Sequence, residues 1–325
     1  MKILVTGAAG FIGYSLCKNL LDENIESLVG IDNLNSYYDP ILKEKRLDML
    51  NKFSKNNFKF YKIDLDNFKE LEDIFSKEMP DLIVHLAAQA GVRYSLENPW
   101  AYEYSNNIGT LNIFEIAKKY NIKKIVFASS SSVYGGNQKI PFSERDNVGK
   151  PVSIYAATKK YNELLAHVYH HLYDMEMVGL RFFTVYGEFG RPDMAYWKFT
   201  KKILNGEQID IYNFGDMNRD FTYISDIVEG IKNAINTPNL GYNIFNLGGD
   251  NPVNLEYMIN LIEKELGINA IKNYMPIQPG DVPVTMADLE KSKKMINYRP
   301  KVSIEEGIQK FVNWYLENKQ WLKDI

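Results

Sequence analysis

Short apolar runs alternate with longer amphipathic segments over the first 180 or so residues. The runs are Lys2–Thr6, Ser27–Ile31, Phe58–Ile63, Leu82–Leu86, Lys124–Ala128 and Met177–Phe182. Most are bounded by Gly, Asp, Asn or charged residues, as buried parallel strands are. The intervening segments, among them Tyr102–Tyr120 and Ile154–Tyr173, carry apolar residues at helical spacing. Strand–helix alternation of this kind predicts an α/β fold, a doubly wound parallel sheet of Rossmann type. Beyond about residue 185 the pattern changes. Helices are expected near Tyr196–Leu204, Asp226–Ala234, Leu255–Leu266 and Ile304–Glu317, with short strands near Ile209–Tyr212 and Ile244–Leu247. This reads as a first domain over 1–185 and a smaller C-terminal α/β substrate-holding domain over 186–325, with some chain crossing between them. There is no internal repeat and no low-complexity linker.

Composition narrows the class only slightly. An apolar fraction of 45% and a charged fraction of 24% over 325 residues are those of an ordinary globular chain. A net charge of −3 gives no reason to expect nucleic acid or an anionic membrane as partner. Cys17 is the one cysteine, and its place on the apolar face of the first helix predicts a buried thiol. No apolar run is long enough to span a membrane and the opening stretch is too short for a signal peptide, so a cytoplasmic location is expected.

The chemistry begins at Gly7-Ala8-Ala9-Gly10-Phe11-Ile12-Gly13, which follows the first strand and opens a helix. Glycines there allow a tight turn and close approach of a pyrophosphate to backbone, and the helix N-terminus offers N–H groups to the phosphates. The second strand ends at Asp32, nineteen residues past Gly13. A carboxylate there can bond an adenosine ribose diol and would repel a 2′-phosphate, which favours NAD over NADP. Asn33 adjoins it. Asp64 and Leu65, after the third strand, can reach the adenine, and Leu86, Ala87 and Ala88, after the fourth, can line the cofactor.

Tyr155 and Lys159 stand four apart at the start of a helix, hence on one face. A free tyrosine, with a pKa near 10, is a poor base at neutral pH. A nearby ammonium and a cationic nicotinamide both favour the phenolate, so the shifted Tyr can take a hydroxyl proton. Ser129-Ser130-Ser131-Ser132, just past the fifth strand, supplies hydroxyls at the end of the sheet where ligands bind.

These motifs closely resemble the extended short-chain dehydrogenase/reductase family, in a GxxGxxG turn, an Asp ending strand two, a Ser-Ser-Val-Tyr-Gly segment and YxxxK. The resemblance runs the whole chain. It implies that Tyr155 is the catalytic base, Lys159 its electrostatic partner and nicotinamide-ribose ligand, and Ser130 the third member. Within that family the chain is most similar to the UDP-glucuronate 4-epimerases. The segments that carry this are Gly30–Asp39, Arg181–Gly187 continuing into Gly190–Ala195, Arg219–Tyr223 and Gln278–Thr285. The resemblance implies NAD-dependent 4-epimerisation of UDP-glucuronate to UDP-galacturonate through a 4-keto intermediate, with NADH retained. The 4-keto uronate is a β-keto acid, so its carboxylate must be gripped against decarboxylation. By resemblance Thr184 and Arg191 do this, with Ser131 or Ser132 helping, Arg219 contacts the diphosphate, and Asp281 belongs to the substrate site. Plainer readings remain: Arg191 paired with a nearby Asp, Arg219 paired with Asp220, and the Thr184 hydroxyl bonded to backbone.

Dehydratases of this family usually place an Asp-Glu pair after the catalytic Ser or Thr, and xylose-forming decarboxylases usually keep the Glu. Ser131 and Ser132 stand there instead, and neither acts as an acid or base at neutral pH. Decarboxylation stays open as an alternative, since a β-keto acid needs little help. So does another nucleotide-sugar epimerase or dehydratase. A non-catalytic dinucleotide sensor is disfavoured by the presence of both Tyr155 and Lys159. Family precedent implies a homodimer through the helices Tyr102–Tyr120 and Ile154–Tyr173; no metal is expected, and the substrate class points to a role in surface polysaccharide synthesis.

Overall fold

The computed structural model describes residues 1–23, 25–278, 282–322 and 325. Among these described residues twelve strands follow in chain order: β1 (Lys2–Thr6), β2 (Ser27–Asp32), β3 (Phe58–Lys62), β4 (Leu82–His85), β5 (Lys124–Ser130), β6 (Glu176–Phe182), β7 (Thr184–Tyr186), β8 (Gln208–Tyr212), β9 (Asn218–Tyr223), β10 (Tyr242–Leu247), β11 (Pro252–Asn254) and β12 (Ile271–Met275). Seven form one sheet in the order β10-β6-β5-β4-β1-β2-β3, and every pairing in it is parallel.

Alternation along the strands sends side chains to two faces. Ile3, Val5, Val84, Val126 and Val178 pack on one side, with the helix Phe11–Asp22. Leu4, Ile83, Ile125 and Phe127 pack on the other, with Gly109–Lys119 and Ile154–Tyr173. Burying each such aliphatic side chain stabilises the fold by about 1.5–3 kcal/mol. The topology reverses beside β1, whose neighbours are β2 and β4. Strand ends splay loops apart at such a point and open a crevice at the carboxyl edge. Cys17 is fully buried in the core, as its place in the pattern predicts, and burial pushes its thiol far above the usual range.

Three elements differ from expectation. Ile244–Leu247 reads as part of the smaller C-terminal region, but it belongs to β10, the seventh strand of the large sheet, hydrogen-bonded to β6. Its apolar pattern carries no mark of the sheet it joins. The segment Tyr102–Tyr120 is not one α-helix: Pro99–Tyr102 leads into a π-helical turn, Glu103–Ile108, before Gly109–Lys119. A helix at Pro40–Phe53, entered through a capping bond to the Asp39 carboxylate and Pro at its first position, follows β2. The chain after β6 otherwise builds two small sheets, β11-β9-β7 and β12-β8, over the carboxyl edge.

Candidate active site

A cleft of about 960 Å³ opens at that edge, between the ends of the parallel strands and the small sheets. Gly7, Gly10, Phe11, Ile12, Gly13, Asp32, Asn33, Asp64, Leu65, Leu86, Ala87 and Ala88 all line one end of it. Ser130, Ser131, Ser132, Tyr155, Lys159, Thr184, Arg191 and Arg219 line the rest. Asp281 lies outside the described residues, as do Pro279 and Gly280.

The glycine turn is a cradle that side chains would fill. Gly7 has φ +73°, and a Cβ there would meet the Ala87 nitrogen at 2.8 Å. A Cβ on Gly13 would lie 2.0 Å from the Gly7 carbonyl oxygen. Gly10 caps the helix Phe11–Asp22 without any side-chain hydrogen bond, which leaves the dipole's positive end open to an anion. Asp32 ties the turn to β2, accepting from Ala9 N–H (3.1 Å) and Leu34 N–H (2.9 Å). Asn33 Nδ2 donates to Asp64 Oδ1 (2.5 Å). Beneath the turn, Thr6 Oγ1 accepts from Ala87 N–H and bonds His85 Nδ1 (2.8 Å), while His85 Nε2 bonds Thr110 Oγ1 (2.9 Å). Burial, and then the charge of Lys159, push the His85 pKa down to about 3, so the imidazole is neutral. Nothing at the end of an apolar strand had marked His85 out.

The reactive group forms where β5 ends. Ser130 Oγ accepts from Ser132 N–H (3.2 Å) and Ser132 Oγ (2.9 Å), and it faces the same cleft as the Tyr155 hydroxyl. Burial raises the Tyr155 pKa, while nearby Ser130 and the charge of Arg191 lower it. Lys159, one turn further along the same helix, donates its Nζ to the Ala128 carbonyl (2.8 Å), and burial pushes its pKa down to about 8. The first serine of the run is structural. Ser129 Oγ donates to Glu163 Oε1 (2.7 Å), which also accepts from Arg181 Nε (2.7 Å), and Arg181 Nη2 donates to Glu163 Oε2 (2.8 Å). This buried pair fixes the helix Ile154–Tyr173 on β5 and β6, with Tyr155 facing Ser130. The π-helical turn adds a second lock. Asn106 accepts from Gln89 N–H (2.8 Å) and donates to Gln89 O (3.0 Å) and Thr158 Oγ1 (3.0 Å). π-Helical turns recur at functional sites. A polar residue inside helical spacing gives no warning of one.

On the substrate side Thr184 starts β7 at the cleft wall. Arg191 is engaged by Asp193 through both prongs, Nε to Oδ1 (2.9 Å) and Nη2 to Oδ2 (2.5 Å), with a longer bond to Ala90 O (3.3 Å). The Asp-paired reading is therefore the geometry observed, on a residue that still faces the cleft. Tyr37 donates to Asp193 Oδ2 (3.1 Å), and its ring centre lies 5.7 Å from the Arg191 guanidinium carbon. Burial alone would raise the Asp193 carboxyl, but Arg191 and Tyr37 hold it below the usual range. Arg219 Nη1 donates to Pro283 O (2.9 Å) and Asn218 O (3.2 Å), clamping a loop strand against β9. Asp220 turns away from the cleft, accepting from Gly249 N–H and from Ala287 N–H (2.8 Å), and burial pushes its pKa up to about 6. Arg93, Lys198 and Lys202, unmarked by any motif, add cationic lining that suits an anionic ligand.

Residues 3–248 match the model of the NAD dependent epimerase/dehydratase family. A Methanocaldococcus jannaschii protein without a functional name is 61% identical over 99% of this chain and 98% of its own. A UDP-glucuronate 4-epimerase of Thermodesulfobacterium geofontis is 48% identical, over 99% of this chain and 98% of its own. The crystal structure of a UDP-glucuronic acid 4-epimerase from Bacillus cereus, in complex with UDP-glucuronic acid and NAD, superposes with a TM-score of 0.91. It is 35% identical, and the match covers 98% of this chain and 100% of that one.

Proposed function

Because the chain belongs to the NAD-dependent epimerase/dehydratase family, we propose that it interconverts UDP-glucuronate and UDP-galacturonate by 4-epimerisation. It is an NAD-dependent isomerase of the UDP-sugar 4-epimerase class. The choice of a uronate rests on one observation above the others: Arg191 lines the same cleft as Tyr155. A sugar whose C4 hydroxyl meets Tyr155 thus presents its neighbouring C5 substituent towards a guanidinium.

The residues present fit NAD. The glycine cradle and the uncapped helix would take the pyrophosphate, Asp32 the adenosine ribose, and Lys159 the nicotinamide ribose. NAD, when bound, supplies the two-electron acceptor and then the donor at sugar C4. Tyr155 takes the 4-hydroxyl proton and holds it at the phenol oxygen, and the Ser130 hydroxyl would share that proton with the sugar oxygen. The same proton returns to the inverted hydroxyl. Arg191 and Thr184, with Ser131 or Ser132, hold the C5 carboxylate away from the orientation in which the 4-keto acid loses carbon dioxide. The absence of a carboxylate at positions 131 and 132 supports epimerisation over elimination.

A homodimer through the helices ending at Lys119 and Tyr173 is part of this reading. Its support is a set of exposed apolar residues on these helices, with Leu164 57%, Val168 45% and Leu172 59% exposed and Leu111 36% exposed. Among the described residues no helix is long and apolar enough to cross a membrane.

The deciding experiment is proton NMR of purified protein with UDP-glucuronate and no added NAD. UDP-galacturonate is the expected product, formed by carried and recycled cofactor. UDP-pentose with carbon dioxide would replace the epimerase by a decarboxylase, and turnover of UDP-glucose alone would move the substrate outside the uronates.

A further inference from the structure

Arg46 is fully buried on the helix Pro40–Phe53 and does not line the cleft. Among the described residues its guanidinium donates only to neutral acceptors. Nη1 donates to Ala9 O (2.8 Å) and to the Tyr38 hydroxyl (2.7 Å). Nη2 donates to Phe189 O (2.6 Å) and Gly190 O (3.0 Å). Ala9 is inside the nucleotide turn, and Phe189 and Gly190 immediately precede Arg191. A buried charge without a carboxylate is costly, so the fold retains it against a sizeable penalty.

The loop it holds is itself unusual. Phe189 has φ +54°, a left-handed conformation costly for an aromatic residue. Its ring lies between Tyr14 and Trp314, each at 4.8 Å. A Cβ on Gly190 would fall 1.8 Å from the Tyr196 hydroxyl. The backbone before Arg191 therefore has one arrangement, and Arg46 binds both of its carbonyls.

We propose that Arg46 is a positioning residue for the reaction: its rigid fork fixes the distance between the nucleotide turn and the loop that presents Arg191 to the sugar carboxylate. This rests on the reading of Arg191 given under Proposed function. The planar fork spans the two loops in a way that a flexible ammonium cannot. An error of about 1 Å in such placement can cost about a hundredfold in rate.

The test uses the full-length holoenzyme. Arg46→Lys, Arg191→Ala and the double variant are checked for retained NAD and melting temperature, then titrated with UDP-glucuronate and with UDP-glucose. Arg46→Lys should keep its NAD yet bind UDP-glucuronate about tenfold more weakly, with UDP-glucose changed less than about threefold. In the double variant the two losses should fall short of multiplying by about threefold or more, as coupled residues do. Multiplying losses, or a lowered melting temperature with unchanged ligand affinities, would overturn the proposal. If Arg191→Ala weakens both ligands equally, the carboxylate reading fails, and the coupling is judged by the same cycle on either ligand. Should Arg46→Lys not fold, Tyr38→Phe takes its place in the cycle, removing one acceptor from the fork and leaving its carbonyl bonds. Losses short of multiplying then support the positioning role, and multiplying losses overturn it.

Discussion

The two ends of the cleft are built by different means. At the cofactor end the walls are backbone: a glycine turn with no room for Cβ atoms, an uncapped helix terminus, and strand ends whose register is set by the sheet. At the substrate end the walls are charged and aromatic side chains holding one another, Arg191 with Asp193 and Asp193 with Tyr37, while buried Arg46 behind them binds two loop carbonyls. Backbone sites tolerate few sequences but bind a ligand common to many enzymes. Side-chain sites can be retuned one residue at a time, and that is where the choice among sugars resides.

The catalytic group stands where the two ends meet, and its removal should have the largest effect. Tyr155→Phe removes the proposed base and almost no volume. Turnover should fall by at least about a thousandfold with NAD still bound, as checked by NMR turnover and by cofactor released on denaturation. Substantial residual activity would take Tyr155 out of its role.

Next in size is a steric test of the cofactor end. Gly13→Ala places a methyl 2.0 Å from the Gly7 carbonyl. It should cost about 1–3 kcal/mol of stability and empty the protein of NAD, because the turn must open to admit it. A Gly13→Ala protein that purifies with full NAD would show that this end is softer than its geometry.

The corresponding test of the substrate end is electrostatic and should be gentler. Arg191→Ala leaves Asp193 without its bidentate partner, so the single variant is accompanied here by Arg191→Ala combined with Asp193→Asn. That pair should lose about tenfold or more in affinity for UDP-glucuronate and much less for UDP-glucose, measured by titration. Equal losses would remove Arg191 from carboxylate recognition and weaken the contrast between the two ends.

The same contrast explains what the sequence discloses. The nucleotide turn, Asp32, the serine run and the Tyr155–Lys159 pair are local patterns, each legible from spacing within a few residues or at a strand end. Arg46 and Phe189 are 143 residues apart, Tyr37 and Asp193 156, and no spacing rule reaches across such intervals. The helix Pro40–Phe53 hides for a related reason: Lys43 and Arg46 face inward, so its buried side is charged and its amphipathic signal is weak. The π-helical turn keeps nearly the apolar spacing of the helix it interrupts. The bond from the Lys159 ammonium to the Ala128 carbonyl, 31 residues back along the chain, is equally beyond any local pattern.

The smallest effect is a pH dependence in which the two ends oppose each other. His85, under the nucleotide turn, has its pKa lowered to about 3, so its contribution to stability is present above its unfolded value near 6.5 and is lost as pH falls. Asp220, under the substrate sheet, has its pKa raised to about 6, so its contribution is present below the unfolded value of about 4 and is lost as pH rises through 6. Between pH 7 and pH 5 the first should remove about 2 kcal/mol while the second restores about 1 kcal/mol, leaving a shallow slope. Asp220→Asn removes the restoring half. Whatever the variant does to absolute stability, its melting temperature should then fall more steeply than that of the parent from pH 7 to pH 5. Parallel slopes for the two proteins would mean that Asp220 is ionised in the folded state, held so by the N–H groups of Gly249 and Ala287 against its burial.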